Sequence, residues 1–98
     1  MVLNMSSMTE RKGSPALTSA QIRAARALIR WSAQDLADHS GLGVTTIRRA
    51  ELHDSETQLT RVNDQSVRRT LEEAGVEFIG GGENGEAGPG VRLRKRPI

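Results

Sequence analysis

The sequence predicts a mainly α-helical protein in which four helices are followed by a C-terminal two-stranded β-hairpin. Apolar residues recur at three- and four-residue spacing through four segments between residues 18 and 74. After Gly75, two short β-prone runs at residues 76–79 and 91–94 are separated by a glycine-rich stretch. A chain of 98 residues is long enough for one domain with one modest core.

The composition divides the chain into three parts. Residues 1–16 are small and polar, lack a sustained period and end in Gly13-Ser14-Pro15, which predicts a disordered N-terminal arm. Residues 17–75 form the predicted helical domain, and residues 76–98 form the hairpin. The sequence has no apolar run long enough for a signal peptide or a membrane span, and it has no cysteine. We therefore expect a cytoplasmic protein with no membrane contact.

Capping residues and glycines set the predicted helix boundaries. Thr18 and Gln21 are spaced as a capping box, which predicts a first helix that ends near residue 30. Ser32 predicts a second helix over residues 33–40, and the glycines that follow it predict a tight turn. A third helix is predicted over residues 44–52 and a fourth over 63–74, with Asn63 as its cap. The residues predicted to face inward are Ile22, Ala25, Leu28, Ile29, Leu36, Ala37, Thr46, Ile47, Ala50, Val67, Leu71 and Ala74.

The third predicted helix has two different faces. One face is small and apolar and consists of Thr46, Ile47 and Ala50. The opposite face carries two arginines and two methyl-bearing side chains, which are Val44, Thr45, Arg48 and Arg49. Two helices joined by a tight glycine turn, the second with such an outward face, predict a helix-turn-helix that reads a DNA major groove.

The distribution of charge supports a polyanionic partner. Basic residues outnumber acidic ones between residues 11 and 49, whereas all charged residues from 72 to 86 are acidic. Of the 14 basic residues, 12 are arginine, whose planar guanidinium makes bidentate bonds to phosphate and guanine. A basic surface separated from an acidic one therefore favours double-stranded DNA as the partner, although an ordinary solvated surface explains the charge alone equally well.

The segment from Leu36 to Glu51 resembles the signature of the Cro/phage-repressor, or Xre-like, family. The shared features are Leu36-Ala37, a glycine followed by an aliphatic residue at Gly41-Leu42, and Thr46-Ile47 with Ala50-Glu51. The resemblance extends over about residues 18–74 and implies a four-helix Xre-like domain. Residues 72–79 and 88–95 further resemble a subgroup of small bacterial regulators that add a β-hairpin to this domain.

The resemblance also implies roles for individual residues. It places four side chains at base edges, namely Val44, Thr45, Arg48 and Arg49, and it places Gln34 and Thr46 at the DNA backbone or between helices. Arginine pairs with O6 and N7 of guanine, and valine or threonine methyls meet the thymine methyl, so the chemistry agrees. Further candidate phosphate contacts are Arg23, Arg26 and Arg61; the first two share a helical stripe with Arg30 that could equally be a solvated face.

No grouping in the sequence predicts catalysis, a metal site or a cofactor. His39 and His53 are 14 residues apart without a matching ligand cluster, which favours surface histidines over metal ligands. Asp35 and Asp38 have no accompanying nucleophile or base, so capping and charge balance explain them better than acid catalysis. Trp31 at a helix corner is expected in the core. We expect no small-molecule ligand, since no separate ligand domain is present.

The predicted assembly is a homodimer that represses transcription from a palindromic operator and is associated with the nucleoid through DNA. Half-sites about one helical turn (~34 Å) apart would each receive one recognition helix. The residues predicted at the dimer interface are those of the hairpin: Val76, Phe78, Ile79, Val91 and Leu93. The alternative is a protein-interaction module on the same scaffold, such as an antitoxin or a phage-type protein that binds a polymerase or another partner.

Overall fold

The computed structural model describes residues 15–81 and 87–95. In this part of the chain, helices α1 (Ser19–Ile29), α2 (Ala33–Ser40), α3 (Val44–Ala50) and α4 (Arg61–Glu73) precede strands β1 (Val76–Ile79) and β2 (Gly90–Leu93). The predicted fold class is thus confirmed as a mainly helical domain with a two-stranded antiparallel hairpin. The predicted N-terminal arm, apart from Pro15 and Ala16, lies outside the described residues. None of the described helices is long and apolar enough to cross a membrane.

Both predicted N-caps, Thr18 and Ser32, are present, and each forms a capping box. The Thr18 hydroxyl accepts the N–H of Gln21 at 3.0 Å, and the Gln21 amide oxygen accepts the N–H of Thr18 at 2.9 Å. Ser32 and Asp35 repeat the exchange at 3.0 and 2.9 Å at the start of α2. The N–H of Ser32 holds the pKa of the Asp35 carboxyl below its ordinary value. These local bonds satisfy N–H groups that a helix start leaves without partners.

Two predicted helix boundaries are wrong, one by three residues and one by two. Thr60, not Asn63, caps α4, because the Thr60 hydroxyl lies three residues earlier and accepts the N–H of Asn63 at 3.1 Å. Helix α3 ends at Ala50 instead of residue 52, and Glu51 after it turns towards α1. Both differences arise from side-chain contacts that periodicity does not report.

The core lies between the four helices and the first strand. Its fully buried apolar residues are Leu17, Ile22, Ala25, Leu36, Ala37, Ile47, Ala50, Val67, Leu71 and Val76. The predicted burial of Leu28 is wrong, because its side chain is 39% exposed. Leu28 lies about 60° beyond Ala25 on the helical wheel, at the edge of the stripe that α1 buries. Ile29, Thr46 and Ala74 are half-buried.

A set of buried polar groups fastens the α3–α4 connection to the start of α1. The Ser19 N–H donates to the carbonyl of Ser55 at 2.8 Å, and its hydroxyl donates to the carbonyl of Ala50. The buried Asp64 carboxylate accepts the N–H of Leu17 at 3.0 Å. Because these bonds satisfy buried backbone groups, the connection predicted as a polar loop is held against the domain.

The hairpin rests on α1 as well as on α4. Its register pairs Val76 with Leu93 and Phe78 with Val91, so these four side chains share one face, as the alternation predicts. Strand β1 packs against both helices and β2 against α1. The Gln21 amide donates to the carbonyl of Gly90 at 3.0 Å and to that of Ile79 at 3.4 Å. The contact with α1 was not predicted.

Replacing Arg30 with glycine is expected to raise the free energy of unfolding by about 0.5–1 kcal/mol. Arg30 closes α1 in the left-handed conformation, with φ 59° and ψ 39°, and its side chain is exposed. A side chain in this region carries a steric cost that glycine avoids. Chemical denaturation measures the change. The matched control is Gly41→Arg at the end of α2, where φ is +81°, and there the stability should fall; a loss of stability in Arg30→Gly would contradict the expectation.

Candidate nucleic-acid interface

Helices α2 and α3 are joined by a three-residue turn. Gly41 ends α2 in the left-handed conformation, and its N–H donates to the carbonyl of Ala37 at 2.9 Å. Gly43 is extended and precedes the first residue of α3. The two helices pack against each other, and Leu42 between them contacts the core. The turn therefore presents α3 at the surface of the domain.

Helix α3 has the two faces that its wheel predicts. Ile47 and Ala50 are fully buried, and Thr45, Arg48 and Arg49 are exposed on the other side. Among the described residues, neither exposed guanidinium has a hydrogen-bond or ion-pair partner. Val44 departs from the prediction, because it is half-buried and packs against the core. Thr45, Arg48 and Arg49 thus form the accessible part of the predicted base-reading set.

Arg26 links α1 to the end of α3. Its guanidinium donates to both carboxylate oxygens of Glu51 at 2.7 Å and to the carbonyl of Trp31 at 2.8 Å. The two paired side chains are only 21% and 9% exposed, and the pairing raises the pKa of Arg26 above its ordinary value. The predicted phosphate contact by Arg26 does not fit this geometry, because the guanidinium is engaged inside the protein.

Arg23 closes the carboxyl end of α3. Its guanidinium donates to the carbonyls of Glu51 at 2.7 Å and His53 at 2.8 Å, and it lies 3.8 Å from the exposed carboxylate of Asp54. A cation at this position also complements the negative end of the helix dipole. Arg23 is therefore assigned to bracing α3 instead of to a phosphate contact. The sequence showed that both arginines share a stripe, but it did not show that α3 ends beside it.

The other three predicted backbone-contact residues lie outside the core. Gln34 is exposed and donates to the Asp38 carboxylate at 2.9 Å, Thr46 is half-buried, and Arg61 is exposed at the first residue of α4. The Ser66 hydroxyl donates to the carbonyl of Ser40 at 3.1 Å, which ties α4 to the carboxyl end of α2. These contacts hold α4 close to the turn between α2 and α3.

Trp31, which precedes α2, stacks on His39 in the last turn of that helix. The ring centroids are 4.3 Å apart with 23° between the planes, and the His39 Nδ1 lies 2.8 Å from the carbonyl of Asp35. Trp31 is half-buried and packs against the core, as predicted, whereas His39 is exposed. The stack was not predicted. The signal available in the sequence was a tryptophan just before the helix together with a histidine in its last turn.

The described residues include no group of three or more histidine, cysteine or acidic side chains that could hold a metal ion. No family model matches the chain, and no curated protein matches it. The chemistry available at α3 is that of two outward guanidinium forks and a threonine methyl on a braced helix. Such groups donate hydrogen bonds and make apolar contacts.

Proposed function

We propose that this protein is a sequence-specific DNA-binding transcriptional regulator that reads the major groove with the exposed face of α3. The observation that carries the proposal is the exposed Arg48–Arg49 face of a short helix whose opposite face is buried. A major groove is about 12 Å wide and admits one α-helix. Each guanidinium there can donate to O6 and N7 of guanine, and the Thr45 methyl can contact a thymine methyl.

The braces of α3 favour recognition over loose electrostatic attachment. Arg23 and Arg26 hold the carboxyl end of α3 through four hydrogen bonds to Glu51 and His53, and Arg26 donates a fifth to the carbonyl of Trp31. A helix fixed in this way presents its arginines in one orientation, which bidentate pairing with a base requires. Phosphate contacts are assigned to exposed side chains outside α3, among them the charged Arg61 at the start of α4.

The regulator is proposed to be an Xre-like homodimer that represses transcription at a palindromic operator. Two copies related by a two-fold axis would present two α3 helices to half-sites about 34 Å apart. Occupation of such a site near a promoter would exclude polymerase. The resemblance of residues 36–51 to the Xre-like signature supports this reading.

Selection of bound duplexes from a genomic fragment library, followed by titration at two salt concentrations, tests the proposal. We expect the selected duplex to bind at least about 10³-fold more tightly than a shuffled duplex. Affinity for both should fall steeply with salt, because phosphate contacts release counterions. Equal affinity for selected and shuffled duplexes, or no binding at low salt, would reject the DNA-reading function and favour the protein-interaction module.

A further inference from the structure

The hairpin has two outer edges, and its hydrogen-bond pattern shows which backbone groups each edge presents. The Arg94 N–H donates to the carbonyl of Gly75 at 2.7 Å, one step beyond the register that pairs Val76 with Leu93. Hydrogen-bonded pairs alternate along an antiparallel ladder, so Arg92 also bonds to β1. The N–H and carbonyl groups of Val91 and Leu93 therefore point outward. They have no hydrogen-bond partner in residues 15–81 and 87–95.

The outer edge of β1 is poorly suited to a second copy of the chain. A charged cleft of about 480 Å³ borders this edge and is lined by Arg69, Glu72, Glu73, Val76, Glu77 and Arg94. A two-fold pairing of β1 with itself would bring the Glu72 and Glu73 carboxylates of the two copies close together. Like charges placed opposite each other destabilise a sheet. Val76 was also predicted at the dimer interface, but its side chain is fully buried in the core of its own chain.

The outer edge of β2 is better suited to a second copy of the chain than the edge of β1. Leu93 is 52% exposed although it lies on the inner face of the hairpin, so apolar surface continues to this edge. The two arginines of this region are engaged in their own chain: Arg92 donates to the Glu77 carboxylate at 2.9 Å, and Arg94 donates to the carbonyl of Glu72. Pairing of two β2 strands would therefore bring together cations that already have partners.

We propose that two copies of this chain pair edge to edge through β2, which produces a four-stranded antiparallel sheet in the order β1-β2-β2-β1. The outward groups of Val91 and Leu93 are all used in the register in which Val91 of one copy faces Leu93 of the other. This register forms four backbone hydrogen bonds and joins the apolar faces of the two hairpins. Arg92 then faces Arg92 of the second copy across the two-fold axis. A register centred on Val91 is excluded because it needs an N–H from Pro89.

The inference deepens the proposed function, since it names the surface through which the dimeric operator reader assembles. Its test needs no DNA, so a failure of pairing and a failure of operator recognition can be told apart. In a non-hydrogen-bonded pair the two Arg92 Cα atoms would lie about 4.5 Å apart, within disulfide range. The two Glu77 Cα atoms would lie three strand spacings apart, about 14 Å, beyond the reach of a disulfide.

The experiment compares two single-cysteine variants of the full chain, Arg92→Cys and Glu77→Cys. The natural sequence has no cysteine, so each variant has only one thiol. Both variants lose the same Arg92–Glu77 ion pair, and each is therefore the stability control for the other. After mild oxidation in the absence of DNA, a non-reducing gel should show Arg92→Cys mostly as a covalent dimer. Glu77→Cys should remain at the background level set by random collision.

A third variant, Leu93→Lys, should weaken the dimer about tenfold or more in light scattering, because it places a charge at the joined edge. Efficient cross-linking of Glu77→Cys, or the same low yield for both cysteine variants, would overturn pairing through β2. An intact protein that stays monomeric at tens of micromolar would overturn it as well. That result is expected if a different protein, and not a second copy of the chain, covers the outer edge of β2.

Discussion

Replacing Glu51 with alanine is expected to lower the free energy of unfolding by about 3 kcal/mol, the lower end of the cost of breaking a buried ion pair. The lower end applies because Arg26 keeps 21% of its side chain exposed while Glu51 keeps 9%. Without the carboxylate, the Arg26 guanidinium loses both of its 2.7 Å bonds to this side chain and stays partly desolvated. Chemical denaturation followed by circular dichroism measures the change.

Two further variants make this test specific to the Arg26–Glu51 pair. Glu51→Gln keeps one hydrogen-bond acceptor and should lose less stability than Glu51→Ala. Asp54→Ala removes a fully exposed carboxylate 3.8 Å from Arg23 and should leave the stability unchanged. If Glu51→Ala and Asp54→Ala unfold at the same denaturant concentration, the brace between α1 and α3 does not stabilise the domain.

Replacing Arg48 or Arg49 with alanine is expected to weaken operator binding by about 1–3 kcal/mol for the residue that contacts guanine, which is roughly 5- to 150-fold. Preference should relax at one operator position in each half-site, and binding to shuffled DNA should change much less. Both side chains are exposed and lack a protein partner in the described part of the chain, so the fold should stay intact. Fluorescence anisotropy with the selected duplex and its single-base variants measures these changes.

Variants of two other arginines distinguish base reading from general electrostatic attraction to DNA. Arg61→Ala should weaken selected and shuffled duplexes alike and lower the salt slope by about one, as expected for a phosphate contact. Arg69→Ala removes an exposed arginine beside the charged cleft of α4 and should leave DNA binding nearly unchanged. Unaltered operator preference in both Arg48→Ala and Arg49→Ala would remove α3 from the base-reading role.

The parts of the fold that the sequence predicts well depend on neighbouring residues. Thr18 with Gln21 and Ser32 with Asp35 interact three residues apart, so their spacing alone predicts two helix starts. The division of α3 into a buried and an exposed face likewise follows from 3.6-residue periodicity. The hairpin was predictable because alternating residues lie on both sides of a glycine-rich stretch.

The parts that could not be predicted depend on contacts between distant residues. Arg26 and Glu51 are 25 residues apart, and Asp64 and Leu17 are 47 apart. A helical wheel shows which residues share a face of α1, but it does not show what packs there. Arg23 and Arg26 were therefore interpreted as possible phosphate contacts, whereas in the fold they hold the carboxyl end of α3. Val76 was assigned to an interface for the same reason, since β1 alone does not show that α1 and α4 cover it.

Methylation interference on the selected duplex tests most directly whether α3 reads the major groove. Methyl groups placed on guanine N7 lie in the major groove, and those placed on adenine N3 lie in the minor groove. We predict that N7 methylation of at least one guanine in each half-site blocks binding and that adenine N3 methylation at the same half-sites does not. Interference confined to adenine N3, or an absence of interference at every guanine, would contradict recognition of the major groove by Arg48 and Arg49.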